Sequence, residues 1–164
     1  MEWAEEQGGT IEVRSRQLPY CVILSQDCDL EHDYNQRQDS TRADNDKYLL
    51  TLLLAPAYPA EIFREGAHLQ EQDLKMQRIN STAWKQLTQN GMMRYHFLTG
   101  RAELQVPDLV IDFKSFLTTP REVLYRPEFA SNYLVTLEVI FREHLSGRFA
   151  HYLSRIGLPD FSSP

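Results

Sequence analysis

The sequence predicts a single α+β domain, and three observations predict it. Short runs rich in β-branched and aromatic residues recur between turn signals from Thr10 to Phe113. Capping signatures at Asn80 or Ser81 and at Thr119-Pro120 set short helices among them. Leu137, Phe141, Leu145, Phe149, Tyr152, Leu153 and Ile156 then recur at spacings of three and four, the stripe of a long amphipathic helix over residues 134–157. With 164 residues, 42% of them apolar, the chain can bury a core without disulfide or metal staples. Its prolines and glycines are scattered, so residues 1–164 read as one domain.

Taken in order, Thr10 to Arg14 alternates apolar with polar, as a half-buried strand does. Pro19 ends that segment, and the residues before Gly9 read as a loose end. Cys21-Val22-Ile23-Leu24 is too short for a buried helix and is expected as a central strand covered on both faces, with Cys21 in the core. From Asp27 to Lys47 acidic residues abound and apolar ones are scarce, which predicts a surface excursion. Tyr48 to Pro56 is a second strand, Ala60 to Arg64 a helical turn, and Asn80 or Ser81 starts a helix that stops at Asn90-Gly91. Met93 to Leu98 and Leu109 to Phe113 are further strands. Thr119 as N-cap, Pro120 in the first helical position and Glu122 as box partner predict another helix, closed by Arg126-Pro127. Gly157 and Pro159 end the last one.

Composition narrows the function classes. The formal charge of −6 opposes a broad phosphate-binding surface and leaves nucleic acid as a secondary expectation, behind a protein partner or a homo-oligomer. No apolar run approaches the roughly 18 residues that span a bilayer. The first residues are acidic where a signal peptide is basic, so a cytoplasmic protein without membrane partners is expected. Cys21 and Cys28 are then free thiols.

Several segments together carry a family likeness. Val-Ile-Leu-Ser-Gln-Asp ends one strand, Leu-Ala-Pro ends a second, and Leu-Val-Ile-Asp-Phe-Lys leads into Thr-Thr-Pro-Arg-Glu-Val-Leu. Over roughly Gly9 to Tyr125 this order resembles the MazF/PemK toxin-like family. The resemblance implies a small antiparallel SH3-like barrel over residues 9–125, with short helical insertions and the long helix packed across it. Ser25-Gln26-Asp27-Cys28-Asp29-Leu30 also resembles a signature of bacterial proteins to which no function is attached. In the ribonucleases of the family an Arg-Pro pair precedes the first strand and a Thr or Ser follows the Ala-Pro of the second. Here Leu18-Pro19 and Tyr58 stand at those places. Without the cation, stabilisation of the developing phosphorane charge is lost, although Arg14 or Arg16 lies close enough in sequence to replace it. The resemblance therefore implies a catalytically degenerate barrel, a binding subunit of a bacterial toxin-like or phage-defence assembly.

Candidate site residues cluster where the first strand breaks into polar chemistry. Ser25, Gln26, Asp27, Cys28, Asp29 and His32, with His96, form the binding set, and Asp27, Cys28, Asp29 and Arg16 are the candidates if the protein is an enzyme. Cys28 and His32, four apart, are the candidate zinc ligands, and Asp27, Asp29 and Asp112 the candidate magnesium ligands with Lys114 beside them. Neither set has the companion motif of a tight site, and no cofactor is expected. Cys28 with His32 or His96 as base would make a nucleophile, but Asp27 and Asp29 disfavour the thiolate. Arg142, Arg148 and Arg155, with His144 and His151, make the last helix locally basic and suited to phosphates or an acidic partner. The competing readings are a solvated acidic loop and an ordinary helix surface.

Overall fold

A computed structural model describes residues 2–15, 17–41 and 43–154 and shows a mixed α+β fold with an open antiparallel sheet of five strands. The chain starts with a hairpin of β1 (Glu2–Gln7) and β2 (Thr10–Ser15), which form their own two-stranded sheet. Gly8 and Gly9 turn it at φ of 60° and 82°, the positive values that a two-residue hairpin loop requires. The strand expected from Thr10 is present. Its partner is the N-terminal segment that reads as a loose end, and the signal for that pairing is Gly8-Gly9.

The main sheet contains β3 (Tyr20–Ile23), β4 (Thr51–Pro59), β5 (Tyr95–Leu98), β6 (Leu109–Asp112) and β7 (Leu117–Pro120). Its order is β3-β4-β6-β5, with β7 also paired to β4. The expectation of a central, doubly covered strand at Cys21–Leu24 is overturned. β3 is an edge strand, and its alternate residues Cys21 and Ile23 are exposed. An apolar run shows that both faces tolerate burial, but the number of neighbouring strands is a matter of topology. The central strand is β4. Its residues 51–54 pair with β7 and 57–59 with β6, while Leu54 to Ala57 pair with β3 on the other side. Pro56 lies between the β7-paired and β6-paired segments and opposite Cys21, where the absent N–H interrupts no continuous ladder. Ser25 prolongs the β3 side of the ladder, because its hydroxyl accepts from Leu53 N–H at 2.9 Å.

Helices α1 (Asp27–Gln38), α2 (Ala60–Arg64), α3 (Ser81–Thr88), α4 (Arg121–Leu124), α5 (Pro127–Ala130) and α6 (Val139–Leu153) complete the fold. None of them is long and apolar enough to cross a membrane. The sheet is covered on both faces. Leu24, Ala55, Ala57, Leu109, Ile111 and Phe113 pack with Leu145 and Phe149 of α6 on one side. Tyr58, Ala60, Phe63, Leu87 and Val110 pack with Trp84, Tyr95 and Phe97 on the other, beneath α2 and α3. Strict alternation sorts the side chains, so His96, opposite Ile111 in the register, falls on the α6 face.

Asn80 caps α3 by accepting from Ala83 N–H at 2.9 Å, and Asn90 follows it in the left-handed conformation, as the sequence predicts. Asn90 has a second task. Its amide accepts from Phe97 N–H and donates to Phe97 C=O, so it covers part of the outer edge of β5 against strand addition. The capping box at Thr119 does not form. Thr119 stays in β7, Pro120 is the N-cap without a side-chain bond, and Arg121 N–H donates to Leu50 C=O at 3.1 Å. A tertiary bond has replaced the local one. The last helix starts at Val139, later than residue 134, and Phe141 and Leu153 of its expected stripe are exposed. Ile156, Gly157 and Pro159 lie outside the described residues, as does Arg155.

Candidate functional site

The segment read as a surface excursion begins with a helix, and this relocates most of the candidate residues. Asp27 to Gln38 holds neither glycine nor proline, places Asp27 and Asp29 in the first turn and Arg37 in the last, and so complements its own dipole. It lacks an apolar stripe because polar groups dock it. Asp33, only 2% exposed at its side chain, accepts from Arg37 at 2.8 Å, from Leu49 N–H at 2.9 Å and from Arg121. Burial alone would raise the Asp33 carboxyl, but these donors outweigh it and hold the group below its ordinary value. Arg37 lies over the ring of Tyr48 and Arg121 over that of Tyr125. This knot joins α1, the entrance to β4 and the start of α4. Its one sequence signal is the Asp33/Arg37 spacing of four.

Asp27, Cys28, Asp29 and His32 occupy the exposed beginning of the same helix, with Gln26 as its N-cap. The Cys28 thiol lies 3.6 Å from Gln26 Oε1 and 3.9 Å from Asp29 Oδ1, and is placed to donate to these acceptors. Asp27 is paired, at 2.5 Å, with Arg142 of α6. Cys28 and His32 share a helix face, yet among the described residues no three His, Cys, Asp or Glu side chains are grouped to hold a metal ion. Asp112, a candidate magnesium ligand, is buried with both oxygens engaged: Arg94 binds it bidentately at 2.8 and 2.7 Å, and Lys114 N–H and Ser115 add bonds. Asp27 and Asp112 therefore serve different partners.

His96 belongs to neither group. Its ring packs against Phe113 and His144, at 6.2 and 5.5 Å between centroids, and its contacts share no residue with those of Cys28. Burial, with smaller contributions from Arg148 and His144, pushes the imidazole down from 6.5 to about 4, so it is neutral at neutral pH. Arg148 donates to the carbonyls of Met92 and Tyr95, at 2.8 and 2.9 Å, and so pins α6 to the start of β5. Tyr58, at the place where the resemblance puts a hydroxyl residue, is buried between Phe63 and His68 in the second core. Arg16 and the side chain of Arg14 lie outside the described residues.

The structure thus separates the predicted set into three places: an exposed acidic turn with Cys28, a desolvated His96 under α6, and two α6 arginines with structural tasks. Compared with family models, curated proteins and solved structures, the chain matches none.

Proposed function

We propose that this protein is a binding module, a variant of the SH3-like barrels of the MazF/PemK type that has lost their cleavage chemistry and serves as a subunit of a bacterial toxin-like or phage-defence assembly. The sharing of one long strand, β4, among β3, β6 and β7 supports a strongly curved small sheet. The observation that carries the recognition role is a segment after the sheet. Phe129, Tyr133, Leu134, Val139, Ile140 and Phe141 are all exposed, Ile140 to 69%. Concentration of large apolar side chains on a surface is the mark of a protein interface. The partner is a protein with an apolar complement.

Two measurements test this. RNA and DNA incubated with the protein, with and without chelator, stay intact; cleavage that Asp27→Ala or Cys28→Ala removes would show an enzyme. Coexpressed with the products of neighbouring genes, the wild-type chain copurifies with one of them, and the Ile140→Glu/Phe141→Glu variant, still folded by circular dichroism, does not. Equal recovery of that partner by both proteins removes this surface from the proposal.

A further inference from the structure

The two edges of the main sheet are finished differently. Asn90 covers part of the outer edge of β5, whereas among the described residues no strand pairs with the outer edge of β3. Leu24 N–H donates to Leu53 C=O at 2.8 Å. Bonding groups alternate in direction along an antiparallel strand, so Val22 and Tyr20 also face β4, and the N–H and C=O of Cys21 and Ile23 point outward. Pro56, opposite Cys21, agrees with this, since a pair that exchanges bonds would need its N–H. Outward groups of this kind template another strand, and natural edges are blunted by charge, proline or a bulge. Tyr20–Ile23 has none of these.

This edge is complementary to a second copy of itself. An antiparallel copy centred on Val22 sets Cys21 opposite Ile23 of the partner subunit and Ile23 opposite Cys21 of the partner subunit, each pair exchanging both backbone bonds. A register slipped toward Pro19 would leave the Ile23 carbonyl facing a residue without an N–H. Two chains of net charge −6 repel, but Gln17 to Gln26 carries no charge, so the joined strands oppose no like pair. Tyr20, Val22 and Leu24 pack toward α6, and the exposed Cys21 and Ile23 meet on the other face, where each covers apolar surface of its partner. From this geometry we infer that the protein forms a two-fold dimer by pairing β3 with β3, in one continuous antiparallel sheet with both α6 helices on the same face. The pairing does not involve the exposed apolar segment at 129–141, so the two readings stand or fall separately.

Sedimentation equilibrium of the full chain from about 1 to about 300 µM tests it, with a monomer–dimer Kd of about 100 µM or tighter expected. Ile23→Lys puts a charge on an exposed position of the edge and weakens association by at least about tenfold, with the circular dichroism of the wild type. If that variant does not fold, Cys21→Pro decides with a loss of similar size, because it removes an outward N–H and no bond to β4. Ile140→Glu/Phe141→Glu leaves the dimer unchanged. At the two-fold axis Val22 faces Val22 of the partner subunit with Cα atoms about 4.5 Å apart, within the reach of a disulfide. Val22→Cys in a Cys21→Ser/Cys28→Ser background therefore cross-links as a dimer on oxidation. A monomer throughout the concentration range, folded edge variants that dimerise like the wild type, a dimer that Ile140→Glu/Phe141→Glu dissolves, or absence of the cross-link would each overturn the inference.

Discussion

Asp27 and Asp33 lie less than two turns apart on one helix, and each meets arginine, but in different surroundings. Asp27 is 62% exposed at its side chain and, among the described residues, pairs with Arg142; Asp33 is 2% exposed and has two arginines and a backbone N–H. In water an ion pair gains little over hydration, whereas a buried carboxylate deprived of its donors has nothing to replace them. The same contrast separates Cys28 and His32 from His96. Side-chain identity marks the first turn of α1 as the most reactive stretch of the chain, but Asp33 and His96, two groups whose proton affinity the fold shifts downward, lie away from it and are withdrawn from solvent.

Substitutions can break this contrast, and the largest effect is expected at the knot. Asp33→Ala leaves Arg37, Arg121 and Leu49 N–H without their acceptor and should lower unfolding free energy by about 3–5 kcal/mol in urea titrations. A change below about 1 kcal/mol would place Asp33 with the surface pairs. Next comes the pH response of His96. Its folded value of about 4 lies below the ordinary 6.5, so the unfolded chain binds the proton more readily, and stability declines as pH falls from about 6.5 to about 4. The contribution is about 3 kcal/mol at one proton over that interval. Urea midpoints across this range should show the slope in the wild type and lose it in His96→Leu. The depressed Asp33 carboxyl adds a separate loss at lower pH, as the medium passes its ordinary value and then its folded one.

Smaller effects sharpen the other side of the comparison. Asn80→Ala removes the cap of α3 and should reduce stability by about 1 kcal/mol, read as a lower melting temperature. Asp27→Ala should change it by about 0.2–1 kcal/mol, in a manner that added salt erases. Cys28→Ser should fall within about 0.5 kcal/mol; a larger loss would mean that the exposed turn packs against more than its neighbours along the chain.

Much of the secondary structure was legible because it is encoded locally. Proline and glycine positions, β-branched runs and the Asn80 and Asn90 signals located β4, α2, α3, β5 and β6. α1 escaped because apolar periodicity detects helices docked by hydrophobic faces, and this one is docked by Asp33 and Arg37. β1 escaped because its acidic residues obscured the hairpin signal in Gly8-Gly9. The candidate site was legible as a list of chemically active residues, without their grouping. Nothing between Cys28 and His96 indicates that one lies on a wet helix turn and the other under α6.

By itself, the sequence determined the α+β mixture, the alternation that sends His96 and Ile111 to one face and Val110 to the other, and the left-handed turn at Asn90, since each depends on backbone sterics or on a short-range period. Tertiary structure alone decided that β3 is an edge, that Thr119 remains in a strand, and that Asp112 is engaged by Arg94. Those outcomes depend on which distant groups compete for the same hydrogen bonds and which are removed from water, and both follow from residues far apart in the chain.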